Sequence, residues 1–302
     1  MNIQGENKTQ NRVRGLLPLW TVIGIFMIGP LLVMAAVSLM ESNVYGGVHY
    51  KFSLNGYRQI LFDTNLFGEI EFNPAYLIII GRSFILAISA TILSLIIGFP
   101  AAYFISRQSN NVKNILIFLV TIPFWTNLLI RTFAWIIILG KGGVIESSFN
   151  FLGLLGDEDS LNLMYTNSAI LIGLVYSYLP LMVLPIYASM EKMDMRLLEA
   201  AADLYSSRIG LIRKVILPLS MPGIIGGSIL VFVPCLGAFV APDLLGGGKK
   251  LLLGSLIQFQ FSYARNWSFG AAVAMFLLSL VILVLFFNAH INKRHREYET
   301  HG

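Results

Sequence analysis

Residues 84–105 read FILAISATILSLIIGFPAAYFI and contain no charged side chain. An apolar run of this length matches a membrane-spanning helix, because the hydrocarbon core is about 30 Å thick and a helix rises about 1.5 Å per residue. Hydropathy on either side of the run predicts five more segments of the same kind. The six predicted spans are residues 16–40, 84–105, 115–139, 169–189, 223–241 and 269–289. The sequence therefore predicts an all-α integral membrane protein, with residues 1–302 forming a single transmembrane domain.

The composition agrees with a membrane protein. Hydrophobic residues make up 56% of the chain and charged residues only 12%, whereas about a quarter of the residues in a soluble domain are charged. The net charge of +5 does not indicate nucleic-acid binding, because the basic residues are spread over loops without a basic–aromatic module. The single cysteine, Cys235, excludes a disulfide framework, and the four histidines lack metal-ligand spacing.

The distribution of positive charge predicts the orientation in the membrane. With both termini in the cytoplasm, most of the 21 Lys and Arg residues fall in inner loops or tails, although the outer loops are longer. Cytoplasmic loops are enriched in Lys and Arg, so both termini are predicted to be cytoplasmic. The first span is longer than the apolar core of a signal peptide, and we expect it to be retained.

Motifs of enzymes and of self-powered carriers are missing from the sequence. The stretch Gly246–Lys250 lacks the Gly-x4-Gly-Lys-Ser/Thr spacing of a phosphate-binding loop. The predicted spans hold no paired carboxylates and none of the acidic residues typical of proton- or sodium-coupled carriers. We therefore expect no catalytic residue, no metal and no cofactor in this chain, and an energy source in another subunit.

The polar segment 190–222 separates the fourth and fifth predicted spans, and its basic residues place it in the cytoplasm. Apolar residues at helical spacing predict a short amphipathic helix there, formed by Leu197, Leu198, Ala201, Leu204 and Tyr205. The spacing leaves two interpretations open, since the helix could lie on the membrane surface or contact another protein. Pro218 and Pro222 are expected to separate the segment from the fifth span.

Glu199-Ala200-Ala201 is followed by Val215-Ile216-Leu217-Pro218, sixteen residues after the glutamate. This order resembles the Glu-Ala-Ala loop of binding-protein-dependent ABC importer permeases, which reads Glu-Ala-Ala-x3-Gly-x9-Ile-x-Leu-Pro. Tyr205 stands where the family has glycine, so the geometry of the turn at this position stays open. The resemblance implies the type I importer permease fold, with residues 190–222 as the cytoplasmic coupling loop. The residues that it implies at the contact with the ATPase are Glu199, Ala200, Ala201, Leu204, Tyr205 and Arg208.

Further stretches resemble the spermidine/putrescine permeases within that family, above all the first of the two permeases in such a system. They are Ile122–Arg131 (IPFWTNLLIR), Gly173–Pro185, Met221–Gly223, Ala241–Gly247 and Arg265–Ala272. The resemblance implies a polyamine importer in a bacterial inner membrane. Its other parts would be a homologous second permease, a cytoplasmic ATPase dimer that binds ATP and Mg, and an extracytoplasmic polyamine-binding protein.

A polyamine is an extended polycation, so its path needs carboxylates and aromatic faces that attract ammonium groups. The residues selected on this ground are Phe124, Trp125, Asn127, Tyr176 and Asp243. Trp125 lies about 15 Å from Ile115 along a helix, near the membrane midplane. Packing of the aromatic rings, and a capping role for the polar residues, remain alternatives. Arg131 would repel a polyamine, and we expect it to snorkel outward or to contact a partner.

Two other functions stay open at this point. The chain could be an ABC importer permease for another small solute, because the spans do not fix the substrate. It could also be a membrane scaffold that anchors a cytoplasmic partner through residues 190–222, although the proline-broken third and fourth spans disfavour a simple anchor.

Overall fold

The computed structural model describes residues 21–43, 45–64, 69–154, 160–193 and 207–300 of the chain. Within these ranges, six helices are long and apolar enough to cross a membrane. They are Thr21–Ser38, Ala75–Ser106, Leu128–Phe151, Asn167–Glu191, Ile209–Gly237 and Trp267–Phe286. The prediction of an all-α membrane protein with six spans is confirmed.

The elements are numbered in chain order. The helices are α1 (Thr21–Ser38), α2 (Asn55–Arg58), α3 (Ala75–Ser106), α4 (Asn110–Trp125), α5 (Leu128–Leu139), α6 (Val144–Phe151), α7 (Asn167–Glu191), α8 (Ile209–Gly237), α9 (Val240–Gly246), α10 (Leu253–Ser262) and α11 (Trp267–Thr300). The strands are β1 (Met40–Ser42), β2 (Val48–Phe52), β3 (Phe62–Thr64) and β4 (Ile70–Phe72).

The described residues divide into two compact units, of which the first comprises residues up to Pro74 together with Ile257–Leu283. After α1 the chain forms two antiparallel hairpins, in which β1 pairs with β2 and β3 with β4. The start of α11 is tied to this region, since Ser268 Oγ donates to the Met40 carbonyl and Asn266 Nδ2 to Gln59 Oε1. The first contact ties β1 to the start of α11, which supports a hairpin that two-stranded pairing alone would leave marginally stable.

The second unit comprises Ala75–Leu256 and the chain from Val284 onward. Its core forms where α3, α7 and α8 pack against one another. Small residues let these helices approach closely: a Cβ added to Gly98 or Gly227 would press on Met182, and one added to Gly223 would overlap the Pro185 carbonyl. Met182 and Ile186 of α7 and Val231 of α8 are fully buried in this core.

The chain directly before the fifth span is helical, whereas the sequence predicts that two prolines separate it from the span. A continuous helical run begins at Arg208 and includes both Pro218 and Pro222, so these prolines do not separate residues 208–222 from the span. A π-helical turn at Ile212–Ile216 directly precedes Pro218. In a π-helical turn, the carbonyl one turn before the proline is displaced from its α-helical position. The proline ring therefore does not clash with that carbonyl, and the helix continues.

Candidate functional site

The predicted third span, residues 115–139, is not one helix. Helix α4 ends at Trp125 and α5 begins at Leu128, while Thr126 and Asn127 between them are extended, with φ/ψ of −87°/144° and −60°/135°. The interruption, which we call break A (residues 126–127), lies among apolar residues in the middle of the predicted span.

Local sequence explains break A. Pro123 has no N–H to donate within α4, which weakens the last helical turn. Thr126 Oγ1 donates to the Pro123 carbonyl at 2.9 Å, and the Asn127 side chain caps α5 by accepting from the Leu129 N–H at 2.8 Å. An asparagine N-cap stabilises a helix start by about 1 kcal/mol. The residues from Pro123 to Asn127 therefore end one helix and begin the next.

A second interruption, break B (residues 238–239), follows α8. Ala238 is extended (φ −64°, ψ 135°) between the end of α8 at Gly237 and the start of α9. Pro234 stands three residues before the helix end, as Pro123 stands close to the end of α4. Break A frees backbone groups in the middle of the predicted third span, which is tolerated only where protein buries them or where they line a hydrated cavity. Break B directly follows the fifth candidate span, which ends at Gly237.

A cavity of about 100 Å³ lies between the start of α5 and break B. Its lining consists of Leu128 after break A, Leu174, Ser177 and Tyr178 of α7, and residues 237–241 around break B. A cavity of this size has room for a few water molecules at about 30 Å³ each. The hydroxyls of Ser177 and Tyr178 supply polar partners for such water.

Break B is held by the chain that follows it. Leu245, Leu252 and Leu253 are fully buried in the second unit. The first turn of α10 is fixed by hydrogen bonds, since Ser83 Oγ accepts from the Leu253 N–H at 2.9 Å. Gly254 then lies directly against the carbonyls of Gly237 and Ala238, where a Cβ would overlap both oxygens. We refer to residues 240–256 as the outer plug.

The structure groups some of the predicted path residues. Phe124, Trp125 and Asn127 lie together at break A, and Trp125 is 83% exposed in this chain. Asp243 is exposed on α9, which packs against α5 and α7. Tyr176 is partly covered because its ring meets Trp135 edge-on, with centroids 5.5 Å apart. Asn127 also has a structural role as a cap, and contact of any of these residues with a substrate stays a prediction.

Arg131 differs from the expectation that it snorkels outward. Its Nε and Nη1 atoms are buried and have no hydrogen-bond partner within the described part of the chain. A buried charge left without partners is costly, so Arg131 is a position where the isolated chain is incomplete.

Sequence reasoning missed a cluster between the ends of α4 and α7. Lys113 Nζ lies 3.3 Å from Glu191 Oε1 and 6.0 Å from the centre of the Tyr187 ring. Lys113 and Glu191 are 78 positions apart in the sequence, so no local sequence pattern joins them. Their position at the ends of two predicted spans was the available signal.

The predicted ATPase contacts lie mostly outside the described residues, namely Glu199, Ala200, Ala201, Leu204 and Tyr205. The sixth, Arg208, opens the helical run that continues into α8. Among the described residues, no group of three or more His, Cys, Asp or Glu side chains could hold a metal ion.

Known proteins similar to this chain are transport subunits. This chain is 38% identical to the spermidine/putrescine transport system permease protein PotB of Haemophilus influenzae. The alignment has 288 residues and covers 95% of this chain and 96% of that protein. The Escherichia coli K12 protein of the same name is 38% identical over 266 residues, 88% of this chain and 91% of its own. The inner membrane ABC transporter permease protein YdcU of Escherichia coli K12 is 33% identical over 229 residues, 72% of each chain.

Two solved structures share the fold. A chain of the bacterial alginate ABC transporter, in complex with its alginate pentasaccharide-bound periplasmic protein, has a TM-score of 0.71 at 16% identity and covers 97% of this chain and 98% of its own. A chain of the inward-facing MetNI methionine ABC transporter has a TM-score of 0.51 at 18% identity, with coverage of 72% and 94%. The predicted type I importer permease fold is thereby confirmed.

Residues 94–297 match the family model described as "Binding-protein-dependent transport system inner membrane component". The match covers both breaks, the outer plug and residues 190–222. Together with 38% identity over 95% of its length to a permease, it shows that this chain belongs to the binding-protein-dependent transport system inner membrane components, as a permease subunit and not as the ATPase.

Proposed function

We propose that this chain is the first of two permease subunits in an ATP-driven importer of polyamines, and that the two permeases together form the path for spermidine or putrescine. The main support is the 38% identity over 95% of the chain to a spermidine/putrescine permease. The paired helix breaks add physical support, since irregular backbone at membrane depth is typical of cavity-lining segments.

Break A would contact the polyamine. Trp125 offers an exposed ring at the end of α4, and an ammonium over a tryptophan face is attracted by the ring quadrupole. The carbonyl end of α4 carries partial negative charge, which also favours a cation there. Phe124 and Tyr176 would contribute aromatic surface, and Asp243 on α9 would attract the cation electrostatically at the outer mouth.

The remaining parts of the importer would be supplied by other chains. The coupling residues Glu199, Ala200, Ala201, Leu204, Tyr205 and Arg208 would contact a cytoplasmic ATPase dimer. ATP and Mg would bind to that dimer, and this chain would carry no cofactor. Both termini would be cytoplasmic, and a polyamine-binding protein would deliver the substrate from outside.

Uptake in a defined host tests the proposal. This chain is expressed with the ATPase, second permease and binding protein of its own system in cells that lack polyamine uptake, and entry of radiolabelled putrescine and spermidine is measured. We expect ATP-dependent uptake of at least one of them, and co-purification of the ATPase and second permease. Complete complexes that transport neither compound would contradict the substrate, and failure to bind an ATPase would favour the scaffold.

A permease for another solute is the second candidate. It is favoured by the 33% identity to YdcU, whose name specifies an ABC transporter permease without a solute. In the same cells, uptake of amino acids or sugars in place of polyamines would support it.

A further inference from the structure

Three side chains join the end of α7 to the beginning of α4. Lys113, near the start of α4, places its Nζ 3.3 Å from Oε1 of Glu191, the last residue of α7. Tyr187 lies one turn before Glu191 on α7. The Lys113 ammonium also lies 6.0 Å from the centre of the Tyr187 ring, within the range of a cation–π contact. We call Lys113, Tyr187 and Glu191 the α4–α7 clamp.

The contact is shielded on the lysine side and open on the glutamate side. The Lys113 side chain is only 15% exposed and Tyr187 is buried, while Glu191 is 48% exposed. The ammonium has two partners on α7, the Glu191 carboxylate and the Tyr187 ring. The ion pair between Lys51 and Glu41 gives the contrast, because its lysine is 78% exposed and such pairs contribute little.

The clamp lies between two segments with proposed roles in transport. Glu191 is only a few residues before the proposed coupling residues that begin at Glu199. Helix α4 runs from Asn110 to Trp125 without interruption, about 24 Å at 1.5 Å per residue, and ends at break A. One helix therefore connects Lys113 of the clamp with Trp125, about 18 Å along its axis.

We propose that the α4–α7 clamp transmits movement of the coupling loop to α4, so that break A shifts when the ATPase moves that loop. This inference rests on the proposed function. Lys113, Glu191 and Tyr187 act as positioning residues, since they touch neither the polyamine nor ATP. Helix α4 follows the end of α7 because the ion pair and the cation–π contact link the two helices, and a short helix transmits displacement along its axis without stretching.

The test uses the complete transporter in lipid vesicles with its binding protein. Two quantities are measured: putrescine uptake per ATP hydrolysed, and the stimulation of ATP hydrolysis by the binding protein. The variants are Lys113→Met and Glu191→Gln, which remove one charge each, and the exchange variant Lys113→Glu with Glu191→Lys. Tyr187→Phe removes only the hydroxyl, and Lys51→Met is the matched control on the exposed ion pair.

We expect each single variant at Lys113 or Glu191 to lower uptake per ATP by about fivefold or more, the size of a modest coupling energy. ATP hydrolysis continues, the exchange variant recovers coupling, Tyr187→Phe has a smaller effect, and Lys51→Met behaves as wild type. Normal coupling in the single variants overturns the proposal. A loss of coupling that the exchange variant does not restore also overturns the proposal, because Lys113 and Glu191 would then be needed only for folding.

The two proposals fail in different ways. A wild-type complex that does not transport polyamines contradicts the proposed substrate. Stimulation of ATP hydrolysis by the binding protein still reports on the clamp in that case, because it requires no knowledge of the solute.

Discussion

At the level of single residues, Trp125 combines features that a packing role does not explain. It is a large aromatic side chain at the end of a broken helix, near mid-membrane by helix length, and 83% exposed in this chain. A tryptophan that serves packing within the subunit would be covered by it. Exposure at this depth leaves three possible contacts, namely lipid, the substrate and a second permease.

Replacing Trp125 with alanine tests the substrate contact. We expect Trp125→Ala to lower putrescine uptake at low concentration by about two- to thirtyfold, equivalent to roughly 0.5–2 kcal/mol for a lost cation–π contact. Trp125→Phe keeps a ring and retains part of the uptake. Leu119→Ala, on an exposed position of the same helix, is the control. A Trp125→Ala complex with normal uptake would remove this residue from the path.

Asp243 gives a second residue-level prediction, based on charge. Asp243→Asn removes the negative charge with little change in size, so the apparent affinity for a polycation is expected to fall by a few-fold, and by less at high salt. Asp243→Glu retains most of the affinity. Glu41→Gln, which removes a partly exposed carboxylate elsewhere, serves for comparison. Equal affinity of Asp243→Asn and wild type, measured by uptake at several putrescine concentrations, would show that Asp243 only occupies the α9 turn.

At the level of elements, hydropathy located the membrane helices but not their interruptions. Thr126 and Asn127 are two polar residues within a long apolar stretch, so averaging over the stretch hides them. The break forms because Pro123 and the Asn127 cap act together. In the same way, Pro218 resembles a helix end in sequence, yet the neighbouring π-helical turn accommodates it. The α4–α7 clamp was also beyond prediction, because it depends on how two distant helices pack.

The outer plug provides a prediction about an element. Any side chain at Gly254 would overlap the carbonyls of Gly237 and Ala238, which are backbone atoms that cannot rotate away. We therefore expect Gly254→Ala to displace α10 from break B and to destabilise the protein by about 1–3 kcal/mol. Thermal unfolding in detergent and putrescine uptake measure the effect.

Gly226→Ala is the matched control for that experiment. Gly226 lies within α8, and a Cβ there would meet no atom within 4 Å. Alanine at this position is expected to leave stability and uptake unchanged or slightly improved, because alanine favours a helix. If Gly254→Ala and Gly226→Ala had the same stability, close contact at break B would not be required.

At the level of the whole molecule, the number of crossings depends on how break A is interpreted. Helix α4 alone spans about 24 Å, which is short of the roughly 30 Å hydrocarbon core. In the described part of the chain α4 and α5 do not pack side by side along their lengths. We expect them to form one interrupted crossing and not a hairpin that returns to the same side. The exposed Ser109, before α4, and Ser148, on α6, then face opposite sides.

Single cysteines test this topology and the orientation together. Ser109→Cys and Ser148→Cys are each placed in a Cys235→Ala background, which removes the one native thiol. A membrane-impermeant maleimide is expected to label the cysteine at 148 in intact spheroplasts, and the one at 109 only after the membrane is opened. The reverse pattern would contradict the cytoplasmic termini. Labelling of both cysteines from outside would mean that the α4–α5 segment returns to its starting side. Break A would then lie at the bottom of a re-entrant loop. A polyamine could enter such a loop but could not pass along α4.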